Sequence, residues 1–313
     1  MYRAFILFVC TCLQLYIAAQ VPERFQDEKT GKYGFKDATG KVVVKPIYDI
    51  AFVDFIDGKY VAVNIGANYD ANKGGKWGII DAKGKVICPV KYDNARCLGY
   101  NLFALNIGHV FSNMDVTPSG KIAIFNAAGK QLTPFIYQGF LTAIEFQDGF
   151  ARLETSVNKK QKYGLLDSTG KVIVPAKYDN VGGFREGRCI LELNGKSGFM
   201  DKSGKMVIPL KYEQANSFSE GLASVKLNGK FGFIDVNGKE VIAPQYEDAE
   251  YFEEGYAAVK QNGKWGVINK ENKLIVDYLF EQIVWIKDDA NRIRIKRGRN
   301  YLEVDRQGNE IKN

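Results

Sequence analysis

The sequence predicts an all-β protein built as a tandem array of about eight three-stranded β-meander repeats. Three signatures recur in register: Lys-aromatic-Gly followed by Asx-x-x-Gly, a proline shortly before a tyrosine, and Phe-x-acid-Gly. Successive Asx residues are 34 to 45 residues apart, and the spacing of 34 occurs three times in a row. Self-similarity at a nearly fixed period indicates a repeat architecture, in which each small unit must share a core with its neighbours.

The Asx-x-x-Gly signature predicts a three-residue hairpin loop. An Asp or Asn at the first turn position bonds its own backbone two residues on, and Gly or Asn three residues later accepts positive φ. The Asx positions are Asp37, Asp81, Asn126, Asp167, Asp201, Asp235, Asn269 and Asp305, and three residues later stand Gly40, Gly84, Gly129, Gly170, Gly204, Gly238, Asn272 and Gly308.

The other signatures complete the unit. In the sixth copy, Leu222 to Leu227, Lys230 to Asp235 and Lys239 to Ala243 read as strands, and Asn228-Gly229 predicts a two-residue hairpin turn. The proline predicts a strand end or an edge strand, because proline cannot donate to a ladder. The aromatic after it fills a core position. The segment from Gln245 to Gly255 is expected to return the chain as a loop, with room for one short helical turn.

This pattern resembles the bacterial WG-repeat family, also called KWG repeats. Gly75-Lys76-Trp77-Gly78 and Gly263-Lys264-Trp265-Gly266 carry the resemblance, which covers about residues 31 to 309. The resemblance implies a β-rich repeat array without an established catalytic function.

The organisation is predicted as a signal peptide, residues 1–19, and a repeat domain, residues 20–313. Arg3, a short apolar stretch and the small residue Ala19 are typical of a secretory signal cut between Ala19 and Gln20, whereas lipid attachment at Cys10 or Cys12 is less favoured.

The polar start and incomplete last copy favour an open superhelix over a propeller-like ring. The repeats are 22–58, 59–101, 102–149, 150–187, 188–221, 222–255, 256–288 and a partial 289–313.

Composition excludes several classes of site. A single His, His109, rules out every multi-His metal site, and no phosphate loop, nucleophile elbow or dinucleotide fingerprint occurs. We therefore expect no cofactor. The mature chain is expected to span no membrane and to bind no nucleic acid. Cys88 and Cys97 could pair in an oxidising compartment, but Cys88, Cys97 and Cys189 are favoured as small buried residues.

Two insertions, Gly66 to Gly75 and Gly108 to Gly120, are the first places to look for function. Asp70, Asn72 and Asp81 form a weak calcium candidate, disfavoured because Gly74 stands where a ligand is expected and Asp81 already serves a turn. The repeated acids are interpreted as turn residues rather than catalytic carboxylates, because a catalytic pair would be unique. These acids are Asp57, Asp148, Glu186, Glu220 and Glu254.

Two sets of residues are candidates for binding. Tyr33, Trp77 and Trp265 occupy the aromatic slot of their units and could stack on sugar rings or peptide, although a core ladder is the favoured interpretation. The basic strip alternates cations with isoleucine, which predicts a terminal edge strand protected by its charges, with docking of an anionic polymer or acidic partner as the alternative. Its cations are Arg292, Arg294, Lys296, Arg297 and Arg299.

The function expected from these observations is a non-enzymatic binding or scaffold module, exported to the bacterial envelope or exterior. Its expected partner is a protein or an envelope polysaccharide. Two alternatives remain open at this point: a hydrolase of envelope glycan that uses the insertions, and a purely structural spacer.

Overall fold

The computed structural model describes residues 21–68, 73–109, 120–138, 144–285, 293–297, 300–305 and 309–311. Within these ranges the chain is all-β, as the sequence predicts. None of the described residues forms a helix of the length and apolarity that crossing a bilayer requires. The predicted signal peptide, residues 1–19, lies outside the described residues.

The strands form small antiparallel sheets in which chain neighbours pair. Sheet A contains β1 (Glu23–Gln26), β2 (Tyr33–Lys36) and β3 (Val42–Tyr48); sheet B contains β4 (Ile50–Ala51), β5 (Tyr60–Asn68), β6 (Lys73–Asp81) and β7 (Val86–Tyr92); and sheet C contains β8 (Asn94–Gly99), β9 (Leu102–Ile107) and β10 (Lys121–Asn126). Sheet D contains β11 (Phe146–Gln147), β12 (Phe150–Val157), β13 (Lys160–Asp167) and β14 (Val172–Tyr178); sheet E contains β15 (Asn180–Arg185), β16 (Arg188–Leu193), β17 (Lys196–Asp201) and β18 (Met206–Tyr212); and sheet F contains β19 (Gln214–Ala215), β20 (Leu222–Leu227), β21 (Lys230–Asp235) and β22 (Glu240–Tyr246). Sheet G contains β23 (Asp248–Ala249), β24 (Tyr256–Gln261), β25 (Lys264–Asn269) and β26 (Leu274–Phe280), and sheet H contains β27 (Gln282–Trp285), β28 (Ile293–Arg297) and β29 (Asn300–Val304).

The predicted Asx-x-x-Gly corner is confirmed as a tight reversal. Asp81 Oδ1 accepts hydrogen bonds from the backbone nitrogens of Lys83 and Lys85, each at 2.9 Å. The nitrogen of Gly84 donates to the carbonyl oxygen of Asp81 at 3.0 Å, and Gly84 has a φ of 82°. The carboxylate thus closes the turn locally, and the positive φ explains why Gly or Asn stands there.

The return segment differs from the loop expected of it. Asp248–Ala249 forms the short strand β23, which pairs with Lys260 and Val259 of the next long strand. Equivalent short strands occur in other sheets, so that sheets B, D, E, F and G have four strands each. The pairing arises because the residue after the tyrosine already donates its backbone N–H to that strand, as Glu247 does to Lys260 at 2.9 Å.

The glycine of Lys-aromatic-Gly lies where two strands approach closely. A methyl group on Gly198 would lie 2.6 Å from the carbonyl oxygen of Ile208 and 2.7 Å from the carbonyl carbon of Pro209. The pairing register of β17 with β18 shifts at this point, between Ser197 and Phe199. Pro209 lies within β18, the last strand of sheet E and therefore an edge strand. An edge strand is one of the two places that the sequence predicts for this proline.

The third copy shows what happens without this glycine. Ala123 stands at the position, and only two isolated bridges, Ile122 to Tyr137 and Phe125 to Gln131, remain where other copies form a seven-residue strand. The bridge equivalent to Phe35–Val44 of sheet A is missing there. Ala123 carries a Cβ at the position where sheets A, B and D to G bring a glycine against the adjacent strand.

The core lies between successive sheets. The chain divides into two compact units, Met1–Gly120 with Ile124–Gln131, and Lys121–Ala123 with Leu132–Asn313. Within the first, Phe35 of sheet A meets Phe55 at a ring-centroid distance of 4.9 Å. Within the second, Phe199 of sheet E meets Phe218 at 4.8 Å. Phe184 and Phe252 meet Phe150 and Phe233 of the preceding sheet in the same way, so the predicted sharing of a core between units is confirmed.

Candidate functional site

Many of the charges that recur from copy to copy serve the fold. In four copies the lysine of Lys-aromatic-Gly pairs with the acid 17 residues later, as in Lys162 with Asp179. The other carboxylate oxygen of Asp179 accepts the backbone N–H of Asn194 at 2.7 Å. The hydrogen bond from Lys162 holds the pKa of Asp179 below its usual range. Sequence reasoning missed this link, which the constant 17-residue spacing could have indicated. Three other copies repeat it: Lys32 with Asp49, Lys76 with Asp93, and Lys264 with Glu281, the last at 3.8 Å.

The acids of Phe-x-acid-Gly are turn residues, as predicted. Each adopts positive φ, between 49° and 54°, at Asp57, Asp148, Glu186, Glu220 and Glu254. The carboxylate of Glu220 also accepts the backbone N–H of Gly255 at 2.8 Å and lies 3.1 Å from Lys270 Nζ. Such carboxylates connect one unit to the next, which accounts for their recurrence.

The three aromatic candidates have different surroundings, although all are half-buried. The guanidinium of Arg24 lies 4.8 Å from the ring centroid of Tyr33, and Lys260 Nζ lies 5.9 Å from that of Trp265. These two rings therefore already face a cation of the same chain. Trp77 instead stacks on Phe52, at a centroid distance of 5.4 Å and an interplanar angle of 26°.

Phe52 and Trp77 form part of an exposed apolar patch. Phe52 is 50% exposed, Val53 57% and Ile56 38%; with Trp77 they constitute the Phe52–Trp77 patch. The repeat does not require an aromatic at residue 52, since four residues after the tyrosine other copies carry Arg96, Gly182, Asn216, Glu250 and Val284. An exposed aromatic stack with exposed aliphatic side chains in the same segment is typical of an interaction site.

The two insertions are anchored in the same way. Asn64-Ile65-Gly66 opens the first and Asn106-Ile107-Gly108 the second. The N–H of Gly66 donates to Asp49 Oδ2, and that of Gly108 to Asp93 Oδ2, both at 2.6 Å. The predicted functional loops thus leave equivalent positions of adjacent sheets.

The calcium candidate is only partly within the structure. Asp70 and Asn72 lie outside the described residues, and the Oδ1 of Asp81 is engaged with its own turn amides. In the described part of the chain, no three His, Cys, Asp or Glu side chains are grouped so as to hold a metal ion.

Cys88, Cys97 and Cys189 are free and buried, as the favoured interpretation predicts, and burial raises the pKa of each to about 12.

The prediction that the basic strip is an edge strand is wrong. β28 pairs with β27 on one side and β29 on the other, so it is the middle strand of sheet H. Residues after it supply the second partner, where Arg294 lies opposite Glu303 and Lys296 opposite Tyr301. Arg292 and Arg299 lie outside the described residues.

A cavity of about 470 Å³ lies between sheets D and E. The absence of a side chain at Gly183 contributes to this space, since a methyl group there would meet nothing within 4 Å. Equivalent positions in other copies carry larger residues such as Val53, Ser217 and Tyr251. Its charged lining residues are balanced: Arg152, Arg185, Glu145 and Asp148. Sequence reasoning missed this cavity, which the paired glycines 182 and 183 could have signalled.

Comparison with known proteins agrees with the geometry. The model of the WG containing repeat matches residues 33–69, 77–108, 163–196, 198–231, 231–265 and 265–285. These stretches span more than half of the chain, which therefore belongs to the WG-repeat family. The unmatched stretch between residues 108 and 163 includes the copy in which Ala123 replaces glycine.

Other comparisons add little. No curated protein matches the sequence. Among solved structures, a eukaryotic initiation factor is 11% identical with a TM-score of 0.38, covering 93% of this chain and 94% of its own. The dihydro-heme d1 dehydrogenase NirN is 13% identical, with a TM-score of 0.36 and coverages of 93% and 72%. PorZ of Porphyromonas gingivalis is 10% identical, with a TM-score of 0.29 and coverages of 88% and 43%. None of these likenesses bears on what this chain does.

Proposed function

We propose that this protein is a non-enzymatic binding or scaffold module, exported to the bacterial envelope or exterior. It binds its partner, a protein or an envelope polysaccharide, by surface contact and without covalent chemistry. Arg3, the apolar stretch after it and Ala19 support export.

The observation that carries the proposal is the Phe52–Trp77 patch. Its half-exposed aromatic side chain occupies a position where other copies of the repeat have polar, aliphatic or no side chains. The exposed parts of Phe52 and Val53 contribute no burial energy to the fold, so this apolar surface fits contact with a partner. The repeated acids, by contrast, are used in turns and links between units, which favours binding over hydrolysis.

The experiment measures binding of purified protein to fractionated envelope material by the fluorescence of Trp77. A Trp265→Phe and Trp285→Phe background leaves Trp77 as the reporter. The emission of Trp77 is expected to shift on binding, because a partner on the patch removes water from the Phe52–Trp77 stack.

Phe52→Ser is the test variant, and Tyr251→Ser, at a comparably exposed aromatic of another copy, is the matched control. We expect binding to weaken about tenfold or more in Phe52→Ser and to stay unchanged in the control, because a buried aromatic contact contributes about 2 kcal/mol. Equal binding by both variants would remove the patch from the proposal, and absence of any binding by the unaltered protein would refute the binding function.

A further inference from the structure

The net charge of the chain is concentrated in one structural element. After residue 20 the sequence has 42 Lys and Arg against 36 Asp and Glu, because only Arg3 precedes. The element runs from the Asx of each hairpin corner through the last strand of its sheet. Its seven copies together hold 14 Lys against eight Asp and Glu. The rest of the chain after residue 20 therefore has 28 Lys and Arg against 28 Asp and Glu, with no net charge. The copies are residues 37–48, 81–92, 126–137, 167–178, 201–212, 235–246 and 269–280.

Within the second compact unit, the excess of lysine over acidic residues in this element is found in sheets D and E. Residues 167–178 and 201–212 carry five lysines against Asp167 and Asp201, whose Oδ1 atoms accept two backbone N–H groups each. All five lysines are exposed, and none forms an ion pair with a described carboxylate. These five define the lysine surface: Lys171, Lys177, Lys202, Lys205 and Lys211.

The lysines of the two sheets lie side by side. A methyl group on Gly204 would lie 2.6 Å from the carbonyl oxygen of Ile173, so the corner carrying Lys205 sits on β14. Lys171 directly precedes β14 and Lys177 lies within it, six residues on, a separation of at most about 20 Å at the rise of a strand. Lys177 Nζ lies 5.5 Å from the ring centroid of Tyr178, and Lys211 Nζ 5.0 Å from that of Tyr212.

Protection of edge strands does not explain this charge. Lysines on an edge strand discourage pairing with another chain, and every sheet that ends in such a strand would need them. Sheet F has an edge strand too, yet residues 235–246 hold one Lys against two acids. Residues 269–280 of sheet G hold two of each. The excess therefore marks particular sheets rather than the edge in general.

We propose that the lysine surface binds an acidic polysaccharide, a linear polymer with carboxylate or phosphate groups. The inference rests on the proposed binding function and names the chemistry of its partner. A spread of about 20 Å along a strand suits an extended polyanion better than a small ion. A membrane surface is disfavoured, because no large apolar side chain between residues 167 and 212 is exposed. Binding at a membrane interface requires burial of apolar side chains in the bilayer. Sheets A and B carry an equivalent set in the first unit: Lys41, Lys45, Lys83, Lys85 and Lys91.

The test uses polygalacturonate as the acidic probe and dextran as its neutral counterpart, with binding measured by interferometry on the full protein. We expect binding to polygalacturonate only, and loss of most of it when salt rises from about 0.05 to about 0.5 M, because screening weakens exposed charge pairs. The test variant combines Lys177→Gln, Lys205→Gln and Lys211→Gln. It is expected to bind about tenfold more weakly, the sum of three exposed ion pairs.

The matched control combines Lys159→Gln, Lys196→Gln and Lys230→Gln, which removes the same charge from exposed hairpin lysines elsewhere in the second unit. It is expected to bind within about twofold of the unaltered protein. An equal loss in both triple variants would overturn the proposal, as would binding to phosphatidylglycerol vesicles without binding to polygalacturonate. If polygalacturonate fails while the Trp77 assay still reports an envelope partner, the lysine surface falls and the proposed function stands.

Discussion

Replacing Gly198 with alanine should weaken one specific strand pairing. Gly198 faces β18 so closely that a Cβ would lie 2.6 Å from the Ile208 carbonyl oxygen and 2.8 Å from the Leu210 nitrogen. Both are backbone atoms, so neither can move without opening the β17–β18 ladder at Phe199–Ile208. We expect this strand to resemble the third copy, which has Ala123 at this position and forms only isolated bridges there.

The magnitude follows from two opposing effects. Glycine in a strand costs about 0.5–1 kcal/mol relative to alanine, which the substitution recovers. Forcing a methyl group into a packed backbone contact costs about 1–3 kcal/mol, and a ladder hydrogen bond lost with it about 1 kcal/mol. The net expectation is destabilisation by about 2 kcal/mol. Gly183→Ala in the same sheet is the matched control, because its methyl group would meet nothing within 4 Å and should be neutral or slightly stabilising.

Urea unfolding followed by circular dichroism compares the two variants, and hydrogen exchange locates the effect. Exchange of the β18 amides should quicken about 30-fold in Gly198→Ala, the equivalent of 2 kcal/mol, while amides of sheet G stay unchanged. Equal stability of Gly198→Ala and Gly183→Ala would refute the close-approach explanation of the Lys-aromatic-Gly signature.

Two further predictions concern titratable groups. The folded-state pKa of Asp179 lies below its ordinary value of 3.8, so its stabilisation is complete above that pH and is lost as pH falls through the folded value. The urea midpoint should therefore be flat from about pH 7 to 5 and fall below about pH 4, less steeply in Asp179→Asn; an identical acid slope in that variant would contradict the pairing with Lys162. With pKa values of about 12, Cys88, Cys97 and Cys189 should not react with a thiol reagent at about pH 8 until urea unfolds the chain, and stoichiometric labelling of the native protein would contradict their burial.

The corners of the fold were predictable because their chemistry is local. The Asp81 carboxylate bonds amides two and four residues on, and Asn228 takes a φ of 50° before Gly229, as an Asn-Gly hairpin turn requires. No distant residue is needed for either. The burial of the tyrosine series was predictable for a similar reason, since each tyrosine stands eight residues after the glycine of its hairpin corner and two or three after a proline.

The candidate sites were less predictable. The sequence singles out Trp77, but only the structure pairs it with Phe52, which is 25 residues away and belongs to none of the three signatures. The basic strip was placed on an edge because nothing in its own residues shows that β29 will pair with it. The preference for an open superhelix stays a prediction.

The sequence by itself determined the repeated unit, its turns and the order of its strands, because each depends on side chains bonding their own or adjacent backbone. Tertiary structure decided what the remaining signature residues do. Lys162 meets Asp179, Gly204 seats its corner on β14, and Glu220 reaches the next turn at Gly255. These contacts join residues 17 to 35 positions apart, and their partners are chosen by how sheets pack, which no short stretch of sequence specifies.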